Sequence, residues 1–353
     1  MAVHKNKKIL PDFISAFLSE HSKNIVLFLL MVAILIIFSI LSPNRFPTDR
    51  NFRSMLAQFP EFGLIALAMM LAMAVGGIDL SVIAVANICG VLSALVLTAE
   101  LTTTAFAGGA LLFLAIIVAL ITATICGLFN GTLIAVAGVP PILATLGTQG
   151  LLMGLAIILT GGRSISGLPS EIDFIGNGFI AGIPAPFYLF VIMTIIVAVI
   201  LRRTRHGFLM LMLGANPVVS RYSGVNNTMV IIKTYMLTGI LAGVSSLIMI
   251  SRTNSMRPGY GTDYLLMAIM VSVLGGTDPR GGVASVLGLV MGVLIIQFTQ
   301  SGLTLLAISP FTRRLIWGLA LLIIMVIYFL IEKYREEKRI RDMQKEKETG
   351  VQA

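Results

Sequence analysis

The chain has 353 residues and a formal net charge of +9, with 57% hydrophobic and 12% charged residues and a mean hydropathy of +0.97. Soluble domains carry about 25% charged residues, so this composition describes a polytopic membrane protein with no large soluble domain. The positive charge gathers at the ends and in one loop, which concerns orientation in the membrane and not nucleic acid.

Residues 1–23 form a basic segment with Lys5, Lys7, Lys8 and Lys23, in which Pro11 to Glu20 predicts a short amphipathic helix on the membrane surface. No small-residue cleavage site follows the first apolar run, so Asn24 to Leu41 reads as a retained helix and not as a signal peptide. Apolar runs predict ten spans, roughly 24–41, 56–75, 80–98, 108–130, 140–160, 185–201, 229–250, 262–274, 283–302 and 313–331. The eighth is the shortest and reads as a half-helix or a tilted span. Ten spans put both termini on one side. Arg202, Arg203, Arg205, Arg221, Lys233 and Arg280 fall on that side with the N-terminal lysines and the tail. The excess of Lys and Arg makes it the cytoplasmic side. Residues 24–331 are then one transmembrane domain, with a cytoplasmic segment at 1–23 and a charged cytoplasmic tail at 332–353. The outer loop Gly161 to Pro184 meets an external partner or caps the bundle.

Between the second and third spans the only interruption is Gly76-Gly77-Ile78-Asp79-Leu80-Ser81. Irregular backbone at membrane depth survives only where protein or a water-filled cavity covers it. The glycines permit a helix to end there, and Asp79, with Ser81, is placed to cap the next helix. A carboxylate at this depth is costly, so Asp79 reads either as a cap or as a functional group. The device returns at Gly275-Gly276-Thr277-Asp278, and aligning the two glycine pairs sets Asp79 on Asp278. Paired, glycine-interrupted apolar segments point to a transporter's central pathway. The expected fold is an all-α polytopic membrane protein of about ten transmembrane helices with two pseudo-repeated Gly-Gly-x-Asp breaks.

The inner loop 202–228 contains Leu213-Gly214-Ala215-Asn216-Pro217-Val218-Val219-Ser220-Arg221-Tyr222-Ser223-Gly224. Asn216 suits an N-cap, Pro217 the first helical position and Gly224 the residue after the helix, which predicts one short helix at the cytoplasmic surface. Catalytic chemistry finds no footing. The chain has no phosphate-binding G-x-x-x-x-G-K-[ST] and no H-E-x-x-H, and His4, His21 and His206 all lie outside the apolar runs. Cys89 and Cys126 read as buried thiols. No metal site and no cofactor is expected, and transport then needs an ion gradient or an energising partner.

Gly76-Gly77-Ile78-Asp79-Leu80-Ser81 resembles the signature of ribose-type ABC sugar permeases. Leu213 to Gly224 resembles that family's cytoplasmic coupling segment, Thr238-Gly239-Ile240-Leu241-Ala242-Gly243 its following helix, and Gly275-Gly276-Thr277 with Gly281-Gly282 its late glycine motif. The resemblance runs from about Asn24 to Leu330, with Pro60-Glu61 among the departures from the pattern. It implies the non-enzymatic permease of a multi-pass bacterial inner-membrane importer. Its implied partners are a pair of ATP-binding cassette ATPases, a second identical or different permease subunit and an external solute-binding protein, all in a lipid membrane. The implied solute is a monosaccharide or related polyhydroxylated compound. The coupling residues would be Gly214, Asn216, Pro217, Arg221, Ser223 and Gly224. A nucleoside permease and an ion-coupled transporter using Asp79 and Glu61 are the alternatives. A polytopic enzyme lacks any converging acid–base or metal constellation.

Polar residues inside apolar spans line a solute path or bond helix to helix. They are Asp79, Asn87, Asn130, Thr145, Gln149 and Gln297, with Gln300 beside the last. Asn87 follows Asp79 by about two helical turns and is expected on the same face, and Thr145 and Gln149 are one turn apart.

Overall fold

The computed structural model describes residues 20–99, 108–326, 329–330 and 334. The surface helix expected over residues 11–20, apart from Glu20, and the charged tail lie outside the described residues, except Tyr334. Every expected span corresponds to a helix. They are α1 (Glu20–Leu41), α2 (Asp49–Ala74), α3 (Val82–Thr98), α4 (Gly108–Ala135), α5 (Pro141–Thr160), α7 (Ala185–Arg203), α10 (Asn227–Thr253), α11 (Tyr264–Leu274), α12 (Val286–Leu305) and α13 (310–326). Among the described residues, seven helices are long and apolar enough to cross a membrane, and α3 and α11 are shorter apolar helices.

Local chemistry sets the ends. Helix α2 begins earlier than its apolar run because the Thr48 hydroxyl accepts from Asn51 N at 3.3 Å and Asp49 sits in the first turn. Helix α5 starts at Pro141, where the missing N–H costs nothing. It stops at Gly161, whose φ is +59°.

The core lies where α2, α3 and α10 meet, and α10 also runs along α4. Small residues permit that approach. A Cβ on Gly239 would strike the Ala123 carbonyl, and one on Gly127 the Tyr235 carbonyl. Gly127 faces Gly239, while Gly131 lies against Ile232 and Gly243 against Ala119 and Ala123, so each helix offers glycines at the four-residue spacing that brings membrane helices close. Helices α1 and α7 instead expose Ile36, Ile37, Ile192, Ile195, Ile196 and Val199, an apolar surface suited to lipid.

The loop 161–184 caps the bundle. Its strand β1 (Ile165–Ser166) pairs antiparallel with β4 (Ser255–Met256), and β2 (Phe179–Ile180) with β3 (Ile183–Pro184). The short helix α6 (Asp173–Asn177) docks on the end of α10, where Ser251 Oγ accepts from Gly176 N at 2.6 Å and donates to the Ile172 carbonyl.

Candidate functional site

The first break starts at the end of α2. Gly76 N donates to the Met73 carbonyl at 2.8 Å and Gly77 N to the Ala72 carbonyl at 3.0 Å, with Gly76 at φ +81°. Helix α3 resumes at Val82, so Asp79 stands in the irregular segment, 2% exposed. Its Oδ1 accepts from Ser81 N at 3.0 Å and Ser81 Oγ at 2.6 Å. Asn130 Nδ2 of α4 donates to Ser81 Oγ at 2.7 Å. Thr238 Oγ1 of α10 lies 3.2 Å from Asp79 Oδ2 and 2.8 Å from the Tyr235 carbonyl. Thr145 Oγ1 of α5 accepts from Leu80 N at 3.1 Å and donates to the Pro141 carbonyl at 2.8 Å. Three helices are thereby tied to the break by one side chain each. Two buried polar atoms beside it, Asn130 Oδ1 and the Tyr235 hydroxyl, make no hydrogen bond among the described residues. Gly77 leaves room for that hydroxyl, which a Cβ would displace.

Asp79, Asn130 and Thr145 thus come together, whereas Asn87, Gln149 and Gln297 do not join them. Asn87 is fully buried and fully occupied. Its Nδ2 donates to the Ile83 and Tyr260 carbonyls at 2.8 and 2.9 Å, and its Oδ1 accepts from Gly259 N at 2.9 Å. The expectation that it shares a face with Asp79 fails because Asp79 precedes the helix, so helical spacing does not relate them. Gln149 is half-buried and outside the network. Gln297 is buried on α12, which packs chiefly on α1, α2 and α11, and its Nε2 makes no hydrogen bond. Ser81's relay role and Thr238's contact with Asp79 were not among the sequence expectations. The signal for Thr238 was its place at the head of the Thr238-Gly239 motif.

Glu61 has its own partners. Its carboxylate, buried on α2, pairs with Arg252 from the last turn of α10 and accepts from the Tyr264 hydroxyl and, at 3.0 Å, the Tyr260 hydroxyl. Burial, aided by the carboxylate, pushes the Tyr260 phenol up to about 12, so it stays a donor. A carboxylate compensated by an arginine and two phenols is a structural lock between α2, α10 and the 254–263 loop, not a free ion-coupling group.

The second break departs from the first. Gly276, not Gly275, takes the positive φ (+91°), with Gly276 N on the Val273 carbonyl and Thr277 N on the Ser272 carbonyl, both at 2.9 Å. By hydrogen bonding, Gly76 corresponds to Gly276 and Gly77 to Thr277. The alignment of Asp79 with Asp278 is therefore one residue out of register. Asp278 is also chemically different, being partly exposed and facing the Arg280 guanidinium at 3.4 Å.

The inner loop holds two helices where one was expected. Helix α8 (Arg205–Ala215) starts at Thr204, whose hydroxyl accepts from Gly207 N at 3.2 Å. Helix α9 (Pro217–Tyr222) starts at Asn216, whose Oδ1 accepts from Val218 N and Val219 N at 3.0 and 3.1 Å. Gly224 follows at φ +77°. Ser220 Oγ donates to Asn227 Oδ1 at 2.7 Å and Asn227 Nδ2 to the Pro217 carbonyl at 3.0 Å, lashing α9 to α10. Val218, Val219 and Tyr222 are exposed, Tyr222 at 89%, and Arg221 and Ser223 are exposed beside them.

Gly214 belongs elsewhere. A Cβ there would strike the Ala74 carbonyl and Gly282 N and come within 3.0 Å of Gly281 Cα. Gly282 N donates to the Ala74 carbonyl at 3.1 Å, and a Cβ on Gly76 would sit 2.9 Å from the Arg280 carbonyl. The end of α8 and both helix breaks therefore meet backbone to backbone in one junction lined by glycine.

The family described as the permease component of the branched-chain amino acid transport system matches residues 51–327. The ribose import permease protein RbsC of Bacillus subtilis is 35% identical over 302 residues, covering 85% of this chain and 91% of its own length. That of Haemophilus influenzae is 32% identical over 300 residues, covering 84% and 90%. The autoinducer 2 import system permease protein LsrD of Klebsiella pneumoniae is 31% identical over 313 residues, covering 87% and 91%. No solved structure matches the chain.

Proposed function

The chain belongs to this permease family, and from that premise we propose that it is the membrane permease of an ATP-binding cassette importer for a monosaccharide or related polyhydroxylated solute. The observation that carries the reading is near full-length similarity to permeases named for ribose and for autoinducer 2. The chain is not itself an enzyme, and energy comes from separate ATPase subunits. A second permease subunit and an external binding protein complete the assembly. The ten helices act as ten spans in an inner membrane, with residues 1–23 and 332–353 in the cytoplasm.

The exposed face of α9, with Asn216, Pro217, Arg221, Ser223 and Gly224, docks the ATPase. Its movement reaches both helix breaks through Gly214, because a junction of bare backbone has no side chains to absorb a displacement. Asp79, Asn130 and Thr145 hold the first break in register, and Asn87, Gln149 and Gln297 complete the polar set within the spans. Amides and hydroxyls suit a neutral, hydroxyl-rich solute in passing. The polar groups do not converge into one dense site, so the binding protein carries selection. The isolated permease is expected to bind sugars more weakly than about 1 mM, or roughly 4 kcal/mol.

The test is uptake by proteoliposomes holding the permease, its ATPases and binding protein, with labelled pentoses, hexoses, nucleosides and leucine. Calorimetry on the isolated permease runs in parallel. ATP-dependent sugar uptake is expected. Leucine uptake would return the chain to the solute in its family's description. Uptake driven by an ion gradient without ATP would replace the importer by an ion-coupled transporter, and micromolar binding to the isolated permease would overturn the account of selection.

A further inference from the structure

A second feature borders the proposed docking segment, sharing Ser223 and Gly224 with it, and its cations lie outside that reading. A cavity of about 500 Å³ opens between the first turns of α8 and α10 and is floored by Ser223, Gly224, Val225 and Asn226. Arg205, His206 and Lys233 line it together with Leu209, Met229 and Val230, and no carboxylate is among the described lining residues. Neither Arg205 nor Lys233 has an acidic partner among the described residues. The His206 Nε2 atom is buried and has no hydrogen-bond partner among the described residues. Burial, and then the Lys233 ammonium, hold the imidazole below its usual pKa.

The cavity's depth indicates its occupant. The exposed apolar stripe of α7 ends at Val199, exposed Arg202 and Arg203 follow, and α8 starts at Arg205. Phe208, 66% exposed, lies one turn further on. An apolar stripe giving way to arginines and an exposed aromatic marks the membrane–water boundary. Lys233 is set two turns into α10, and Met229 lies one turn before it on the same face. Arg205, directly after the α7 arginines, and Lys233, two turns into α10, therefore stand near headgroup level, beside the apolar Leu209, Met229 and Val230. Val218, Val219 and Tyr222, the exposed apolar and aromatic residues of α9, do not line it, although Ser223 and Gly224 do.

We propose that this cavity is a phosphate site that takes the headgroup of an anionic phospholipid, with Arg205 and Lys233 as its cations and His206 in its wall. The inference requires only that the chain sit in a bilayer, so it stands or falls apart from the solute.

Native mass spectrometry of the purified full chain in mixed micelles of phosphatidylglycerol and phosphatidylcholine tests it. Two cations at a headgroup give a preference of roughly thirtyfold for retained phosphatidylglycerol. Arg205→Gln with Lys233→Gln should abolish that preference, Lys233→Arg should keep it, and Arg50→Gln elsewhere should leave it unchanged. If the double variant fails to fold, Met229→Trp fills the cavity with every charge intact and should lower phosphatidylglycerol retention. Equal retention of both lipids by the wild type, or an undiminished preference in a folded double variant, overturns the proposal. Inorganic phosphate alone serves as a second probe. Stabilisation of the wild type by phosphate, without any lipid preference, would assign the site to the free ion and overturn the lipid reading. A double variant that binds lipid normally but loses its ATPase would assign the cavity to a carboxylate of that partner, with the same consequence.

Discussion

Replacing Asp79 separates its acceptor role from its charge. In Asp79→Leu, Ser81 N and Ser81 Oγ lose their acceptor in a site without exposed surface. Thr238 does not, because its hydroxyl already has the Tyr235 carbonyl at 2.8 Å. Each stranded donor costs about 1–3 kcal/mol, so leucine should destabilise by roughly 2–6 kcal/mol. Asp79→Asn keeps an oxygen for Ser81. Its new N–H₂ group faces Thr238 Oγ1, which can accept while donating to the Tyr235 carbonyl. No Lys or Arg pairs with Asp79 among the described residues, so asparagine also removes an uncompensated buried charge. Its expected cost is below about 1 kcal/mol. Thermal unfolding of the purified variants, read with uptake by the reconstituted importer, measures both quantities. Asparagine melting as low as leucine would refute the hydrogen-bond accounting. Lost uptake in a well-folded asparagine variant would show that the charge itself enters the transport cycle.

Gly214→Val should leave insertion and ATPase co-purification intact and abolish uptake, because its Cβ meets only backbone of Ala74, Gly281 and Gly282; uptake at the wild-type rate would dissolve the junction's role. Arg252→Met should cost about 3–5 kcal/mol by stranding the buried Glu61 carboxylate, and Glu61→Gln added to it should recover most of the loss. Unfolding midpoints of the single and double variants check this, and additive losses would refute it.

How much of this was legible in sequence depended on the range of the contact. Apolar runs announce helices, so each expected span has one. The most misjudged end is the start of α2, where the polar cap Thr48 begins the helix before its apolar run, and Thr204 likewise starts a helix outside any run. A glycine pair announces a break but not which glycine turns left-handed, since both are permissive. That ambiguity is the source of the one-residue error at Gly276. Asp79 declares itself by its depth, Ser81 by its place two residues on, and Thr145 only as a polar residue within a span. Thr238 is 159 residues away and Arg252 is 191 residues from Glu61, separations for which periodicity carries no signal.

Gly214 is the most instructive case. It lies two residues before the Asn216 cap, so its motif assigns it to docking, yet its lack of a side chain serves a backbone contact with residues 74, 281 and 282. Docking and transmission are distinct physical tasks. Docking needs exposed side chains, which α9 presents at Val218, Val219 and Tyr222. Transmission needs a stiff contact, which α8 obtains by removing a side chain where three backbones cross. Because Asn227 binds α9 to the start of α10, and α10 carries Thr238 to Asp79, a push on α9 in its proposed docking role has two routes to the first break. One runs through the glycine junction and the other along α10. Only the first also touches the second break, so only there can one displacement move both breaks together.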